Sequence, residues 1–260
     1  MNPCPNTYYG KINEAVETES FRISISKHAA NSNISLHAHS KSYFCLSVLG
    51  HYTEKNLKEA MVSQGEVIFR KSGHEHSNSF LDNAGVCMNI EFKNEVQFML
   101  ENEMSLPDKA LQKKSSLDFY KLLFGFKNSV ANDLLNIYCH EAMLSFFKEA
   151  GQGDIEWVKT VKDYINDSPL DNISLSKLSS ELGLHPNYIT RKFKEVTGLK
   201  MSDYLIQTRL RYCLENMIGS EQSMTEIALK NGFYDQSHFN RNFKKQLNTT
   251  PHLFKKMVKG

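Results

Sequence analysis

Arg191 and Arg241 stand at matching places in two similar segments of the last hundred residues. Arg is the side chain best suited to bidentate hydrogen bonding with guanine in a DNA major groove. The second segment reads Ile227-Ala228-x3-Gly232-Phe233-x-Asp235-x-Ser237-x-Phe239-x-Arg241-x-Phe243-Lys244, then Asn248-x-Thr250-Pro251-x2-Phe254-Lys255. The earlier copy runs Leu175-x2-Leu178-Ser179-x2-Leu182-Gly183, then Pro186-x2-Ile189-x-Arg191-x-Phe193-Lys194-x2-Thr197-Gly198. A different chemistry is suggested near the other end. His37-x-His39-x3-Tyr43-x6-Gly50 and Gly65-x5-Lys71-x-Gly73-x2-His76 supply three histidines. Three neutral imidazoles can hold a divalent transition metal, or can hydrogen-bond within a ligand pocket.

The elements that must position these groups can be read from periodicity. Each C-terminal copy has a short amphipathic helix, a break at Gly, and a second helix with one apolar and one polar-basic face. A helix-turn-helix presents a helix to DNA in this way. With Ile189 at zero and 100° per residue, Phe193 and Val196 fall within roughly 40° of it. Asn187, Thr190, Arg191 and Lys194 fall roughly 100–200° away. In the second copy Phe239, Phe243 and Leu247 form the apolar stripe, and Ser237, Asn240, Arg241 and Lys244 lie opposite. Gln236, roughly 60° from the stripe, sits in the first turn, the end that enters a groove first. A single basic face is an ordinary solvated surface; two matching copies are not. Between them, Met201 to Ile218 reads as one helix without Pro or Gly, roughly 27 Å long at about 1.5 Å per residue. Successive major grooves on one DNA face are about 34 Å apart, so one chain could address both. Apolar residues on two sides of this helix predict burial between two small bundles.

These motifs resemble the DNA-binding domain of the AraC/XylS family of bacterial transcription regulators, over about residues 156 to 258. The resemblance implies a domain of about seven helices, two of them recognition helices joined by a long central one. Carried over by position, it implies base-facing roles for Asn187, Thr190 and Arg191, and for Gln236, Ser237, His238 and Arg241. With the exposed positions above, the candidate DNA-binding set also includes Lys194, Asn240 and Lys244. The chain departs from the family at Ser179, where Ala is usual, and at His185, where a Ser N-cap is usual and whose cap should be weaker. Asn248 replaces a common Gly, and Asn also tolerates the left-handed conformation.

Charge distribution agrees. From Ile173 to Gly260 there are fourteen Lys and Arg against seven Asp and Glu, a net of +7. The remaining residues carry seventeen against twenty-two, a net of −5. A basic module on an acidic body fits a DNA binder whose other half has another task. Five scattered cysteines (Cys4, Cys45, Cys87, Cys139, Cys213) without a CxxC pattern fit free thiols in a reducing cytoplasm. No signal peptide and no apolar run of transmembrane length are legible, so a cytoplasmic protein without a membrane role is expected.

The first hundred residues change to a period of two. Phe21–Ser26 alternates, as do parts of Ile34–His39, Tyr43–Leu49, Glu66–Arg70 and Val86–Phe92. Turn residues separate them: Asn31-Ser32-Asn33, Gly50, Gln64-Gly65, Lys71-Ser72-Gly73 and Asp82 to Gly85. Short strands with regular turns predict an antiparallel barrel or sandwich. The two histidine spacings resemble the paired motifs of the cupin barrel, the usual effector domain of arabinose-type regulators. The cupin metal site would use His37, His39 and His76, with a Glu where this chain has Tyr43. Lys71 replaces a Pro, and the last Asn of the second motif is missing. With the carboxylate absent, the reading is a metal-free effector pocket of His37, His39, Tyr43 and His76, with no cofactor. His51 and His74 read as surface residues. Tyr43, Phe69, Phe80 and Phe92 are candidate pocket aromatics that plain core packing would also explain.

Asn94 to Glu103 reads as a short helix ended by Leu106-Pro107. Lys109 to Ala150 has helical apolar spacing, with a bend at Gly125 and an apolar excess that suggests a dimer contact. Gly151-Gln152-Gly153 reads as a linker. The expected architecture is therefore α+β: a cupin-like effector domain at 1–100, a helical dimerisation and connecting segment at 101–150, a linker at 151–153, and an all-α DNA-binding domain at 154–260. The function read from this is a non-enzymatic, effector-responsive transcription regulator. Its expected partners are double-stranded DNA, a small-molecule effector, a second copy of the chain and, in an activator, RNA polymerase. The alternative is a metal-dependent cupin enzyme or metal sensor fused to a DNA-binding domain. Only the three histidines support it, since no Ser/His/Asp set, phosphate loop or second carboxylate is legible.

Overall fold

The structure, a computed structural model, describes residues 11–56, 59–93, 96–97, 109–112, 117–151, 155–171, 173–218 and 220–259. The chain divides into two compact units, Met1–Ala150 and Gly151–Gly260. Cys4, almost all of the Asn94–Glu103 segment, Leu106-Pro107, and Gln152 and Gly153 of the expected linker lie outside the described residues.

Among the described residues the first unit is built on ten strands. They are β1 (Lys11–Glu17), β2 (Phe21–His28), β3 (Asn33–His37), β4 (Tyr43–Leu49), β5 (Tyr52–Lys55), β6 (Glu59–Val62), β7 (Val67–Arg70), β8 (His76–Ser79), β9 (Gly85–Phe92) and β10 (Lys109–Gln112). Every pairing is antiparallel. The ladder does not close into a barrel. It forms a six-stranded sheet in the order β1-β2-β9-β4-β7-β10 and a four-stranded sheet in the order β3-β8-β5-β6. The two sheets share an interior in which Tyr43, Cys45, Ile68 and Cys87 of the first meet Ile34, Tyr52 and Val62 of the second, with Phe80.

Alternation gives the large sheet two different faces. Tyr43 and Cys45 of β4 face the interior between the sheets, whereas Phe44 joins an aromatic layer on the opposite face. Two helices cover that layer, α1 (Leu117–Lys127) and α2 (Asn132–Gly151). Phe44 lies 5.6 Å from Phe119 and 4.9 Å from Phe146, ring to ring, and Phe69 lies 5.2 Å from Phe147. Burying side chains of this size contributes about 1.5–3 kcal/mol each, so this layer fixes the helices on the sheet.

Two expectations for the helical segment are corrected here. Lys109–Gln112 is a strand, not the start of a helix. It pairs with β7 from Lys109↔Arg70 to Gln112↔Val67, and that open edge outweighs the helix preference of Lys, Ala, Leu and Gln. Gly125 does not bend α1. A Cβ there would meet the Tyr138 ring at 3.1 Å, so its small size lets α1 approach α2. The chain turns instead after Lys127, with Ser129 at φ 50.

The second unit contains seven helices among the described residues. They are α3 (Glu156–Asp167), α4 (Leu175–Leu182), α5 (Pro186–Thr197), α6 (Met201–Met217), α7 (Met224–Lys230), α8 (Gln236–Leu247) and α9 (Pro251–Lys259). Local chemistry sets their ends. Ser174 and Asp235 cap α4 and α8 by accepting from Lys177 N and His238 N. Ser223 and Glu226 form a capping box at α7. Asn248 ends α8 in the left-handed region at φ 55.

Helix α6 is buried over much of its surface, as its two apolar sides predict. Leu205 packs with Val158, Val161 and Ile165 of α3 and Phe193 of α5. Leu210, Cys213, Leu214 and Met217 are fully buried. On the far side, Phe233, Phe239, Phe243 and Phe254 form a chain of ring contacts at 5.2, 5.5 and 5.9 Å. Polar ties also hold α6. Arg209 Nε donates to the carbonyl of Pro169 at 2.7 Å, and Arg211 Nη2 donates to Asn166 Oδ1 at 3.0 Å. The Tyr212 hydroxyl donates to the Asn166 carbonyl at 2.8 Å.

Gly183 (φ +63) and Gly232 (φ +80) make the two helix-turn-helix turns. Alanine at either position meets the left-handed penalty of about 1–2 kcal/mol. At Gly232 the added Cβ would also lie 2.9 Å from Arg209 Nε, while nothing lies within 4 Å at Gly183. Gly232→Ala should therefore lower the denaturation midpoint more than Gly183→Ala. Equal shifts in urea melts would show that Arg209 yields freely.

Candidate nucleic-acid interface and histidine cluster

In α5, Ile189 and Phe193 are fully buried, and Asn187, Thr190, Arg191 and Lys194 are exposed. The start of this helix is stronger than the sequence suggests. His185 Nδ1 accepts from Asn187 N at 3.2 Å, and Pro186 occupies the first turn, so an imidazole takes the place of a Ser cap. The Thr190 hydroxyl donates back to the carbonyls of Pro186 and Asn187, both at 3.2 Å.

In α8, Phe239, Phe243 and Leu247 are buried while Gln236, Ser237, Asn240, Arg241 and Lys244 are exposed. Gln236 Oε1 accepts from Thr225 Oγ1 at 2.7 Å and so ties the first turn of α8 to α7. His238 differs from the rest. Its ring is half-buried and packs edge-on against Phe233 at 5.4 Å, so it stands apart from the exposed face that the resemblance assigns to it. The physical reason is the turn: Gly232 folds Phe233 back onto the first turn of α8, where His238 covers it.

In the first unit, the strand spacing brings the histidines together. His37 ends β3 opposite His76 of β8, and His39 follows two residues later. Their ring centroids lie 4.3 Å (His37–His76), 5.0 Å (His37–His39) and 5.5 Å (His39–His76) apart. One ring nitrogen from each falls within 4.8 Å of the others, and all three residues are buried. Backbone carbonyls set two tautomers. His37 Nδ1 donates to Ser35 O at 2.8 Å and His76 Nδ1 to His74 O at 3.2 Å. Each neutral ring then keeps its lone pair on Nε2, the arrangement that orients metal-ligating histidines. The Tyr43 hydroxyl lies 3.2 Å from His76 Nε2 and donates to it.

Burial keeps the cluster uncharged. It lowers the pKa of all three rings, to about 3 for His39, and the Arg70 cation adds to the effect. These residues line a cavity of about 30 Å³. That is room for a few water molecules at most, whereas small-molecule sites run to about 300 Å³ or more.

Below the histidines lies a buried ionic network with no counterpart in the sequence reading. Arg70 is 1% exposed and forms an ion pair with Glu54, which is 0% exposed. Arg70 Nη2 also donates to the Tyr52 hydroxyl at 3.1 Å, its guanidinium lies 5.2 Å from the Tyr43 ring centroid, and Lys109 Nζ reaches Glu54 Oε1 at 2.7 Å. Burial opposes ionisation of Glu54, but Arg70 and Lys109 outweigh it and hold the carboxyl below its usual range. Parity held the signal: Arg70 shares a strand face with the interior residue Ile68, which demands a buried partner.

The remaining expectations divide. Tyr43 and Phe80 line the cavity, but Phe69 and Phe92 belong to the aromatic layer beneath the helices because they have the opposite parity. His51 and His74 are half-buried rather than on the surface: His51 sits in the Gly50 turn near Asp82, and His74 stacks on His76 at 5.9 Å. Cys45, Cys87, Cys139 and Cys213 are free and buried. Among the described residues no helix is long and apolar enough to cross a membrane.

Residues 178–257 match the model of a helix-turn-helix domain. The second unit carries a helix-turn-helix domain of the AraC type. Among curated proteins, this AraC-type domain is similar to an uncharacterised HTH-type transcriptional regulator of Staphylococcus aureus, 32% identical over 98 residues, 38% of this chain. The chain spans 13% of the length of that relative. It is also similar to AdaA of Bacillus subtilis, a bifunctional transcriptional activator and DNA repair enzyme, at 27% identity over 106 residues, 41% of this chain and 50% of AdaA. Among solved structures, ToxT from Vibrio cholerae aligns over 93% of this chain and 100% of its own, at 16% identity and a TM-score of 0.40.

His28 tests how firmly the first unit excludes protons. Its ring stacks on Phe80 at 4.2 Å, and burial lowers its pKa to about 4. A histidine with a depressed folded pKa is neutral in the native state, and the unfolded chain binds the extra proton below its ordinary value of 6.5. Stability from this group is complete above that value and is lost as pH falls towards 4. Full linkage would be about 1.4 kcal/mol per pH unit; the half-buried ring should give less. His28→Phe keeps the stack and should flatten the dependence of the melting temperature between pH 6.5 and 4.5. An unchanged slope would place the titrating group elsewhere.

Proposed function

We propose that the protein is a sequence-specific transcription regulator that reads double-stranded DNA with α5 and α8 and responds to a ligand of its first unit. One observation carries the DNA-reading part: two capped helices of one AraC-type domain each bury an apolar stripe and expose a matching polar-basic face. Asn187, Thr190, Arg191 and Lys194 form one reading face, and Gln236, Ser237, Asn240, Arg241 and Lys244 the other. Phosphate contacts position such helices and base contacts specify the sequence. No part of this role requires catalysis. Exposed Leu134, Ile137 and Leu144 on α2 favour self-association through that helix, so a homodimer is the proposed assembly. RNA polymerase is the further partner if the protein activates.

The size of the histidine cavity favours a divalent transition metal over an organic molecule as the ligand of the first unit. The donor set fits. His37, His39 and His76 are neutral, buried and convergent, and two are oriented by backbone carbonyls. A bound metal would supply a fixed positive charge that draws the three rings together. Tyr43, where cupins place a carboxylate ligand, donates to His76 Nε2, and its hydroxyl would have to turn away for His76 to join a three-histidine set.

Arg241→Ala should cost about 1–3 kcal/mol in specific binding and relax the preference at one base position. Binding-site selection on the full chain checks this. A loss spread equally over all sequences would assign Arg241 to phosphate. The metal reading predicts close to one equivalent of zinc, iron, cobalt or manganese per wild-type chain, lost in both His37→Ala and His39→Ala. Elemental analysis after dialysis against each metal decides it; a metal-free wild type returns the cavity to water or an organic effector.

A further inference from the structure

We infer that the second unit holds a separate binding site for an amphipathic organic anion, in a cleft that shares side chains with the DNA-reading face of α5. The inference rests on the DNA-reading role proposed above. The cleft has a volume of about 590 Å³ and lies at the junction of α4, α5 and α6, within the range of small-molecule sites. Its floor is apolar: Ile173, Leu175, Met201 and Leu205. Leu205 is buried, and the other three remain partly open to solvent. Three cations complete its lining, Arg191 and Lys194 from α5 and Lys200 at the start of α6.

Three features select an anion with an apolar body. First, among the described residues no carboxylate lies within ion-pair distance of Arg191, Lys194 or Lys200, whereas Lys192 on the same helix pairs with Glu195 at 2.8 Å. Second, α6 begins at this cleft. Its N-cap Lys200 supplies no side-chain hydrogen bond, so the first-turn N–H groups of α6, where Met201 and Ser202 line the cleft and Asp203 is the one acidic residue, have no cap from that side chain. Third, DNA phosphates use the cations but have no use for the apolar floor. A carboxylate with a hydrocarbon body satisfies both: the head meets the cations and the helix start, and the body removes the floor from water. Thr190, Arg191 and Lys194 line the cleft and also belong to the reading face. Ligand and DNA therefore compete for the same side chains, and an occupied cleft releases the first half of the operator contact.

The test uses the full chain and decanoate, with decanol and decyltrimethylammonium as charge controls, all below their aggregation thresholds. Occupancy is read from the Met201 methyl resonance in methyl-labelled protein, assigned with Met201→Leu. Competition is read from displacement of a selected DNA duplex. Decanoate should shift the Met201 resonance and displace DNA, and neither control should do so. Lys200→Gln removes one cation and Ser202→Trp fills the cleft; neither residue belongs to the reading face. Each should raise the decanoate concentration needed roughly tenfold or more, the loss expected for one charge-assisted contact or a blocked site. Absence of a Met201 shift overturns the site. Equal action by all three amphiphiles also overturns it, since that is surfactant behaviour. A Met201 shift with DNA still bound overturns the competition. If the chain binds no duplex even without decanoate, the DNA-reading role fails, and the Met201 arm still decides whether the cleft takes the acid.

Discussion

A guanidinium with 1% of its surface exposed organises the interior of the first unit. An isolated charge at such a depth costs several kcal/mol, and removing one partner of a buried pair costs about 3–5 kcal/mol. Arg70 is tolerated because Glu54, Tyr52 and the face of Tyr43 surround it. That requirement places β5 and β7, which belong to different sheets, with their charged residues in register across the interior. It also sets the character of the cavity above. A fixed positive charge beside three imidazoles, together with their burial, keeps them neutral.

The second unit relies on a different constraint. Helix α6 serves two small bundles at once, so its apolar residues leave little surface for solvent. Arg209 and Arg211 are also drawn inward, where they donate to the carbonyl of Pro169 and to Asn166. The result is a buried centre flanked by two helices, α5 and α8, that each expose a polar-basic face.

Much of this was legible in the sequence, for physical reasons that differ between the units. In the second unit a period near 3.6 and the glycines at the turns agree, and α4 to α8 appear where the pattern places them. Asn248 could be read as a left-handed terminator from its type alone. His185 could not be read as a cap, because an imidazole accepts a backbone hydrogen bond only in one tautomer and rotamer. In the first unit β2, β4, β7 and β9 were legible because both of their faces are buried in alternating register. The meeting of His37, His39 and His76 followed from spacing. Arg70 and Glu54 were missed because a lone charge in a strand looks like a solvent-facing position until its partner is known. Phe69 and Phe92 were left between pocket and plain core because composition says that an aromatic is buried but not on which face of a sheet. Lys109–Gln112 was misread because only the free edge of β7, a long-range feature, makes a strand of those residues.

That edge strand has a mechanical consequence. β10 is held by its ladder to β7 and by the Lys109–Glu54 contact, so it closes one side of the large sheet and supplies a counter-charge to its interior. Peeling it away would bare the hydrogen-bonding groups of β7 and leave Glu54 with one cation in place of two. Because Arg70 also lines the histidine cavity, loss of this strand would change the balance of charge in the wall of that cavity.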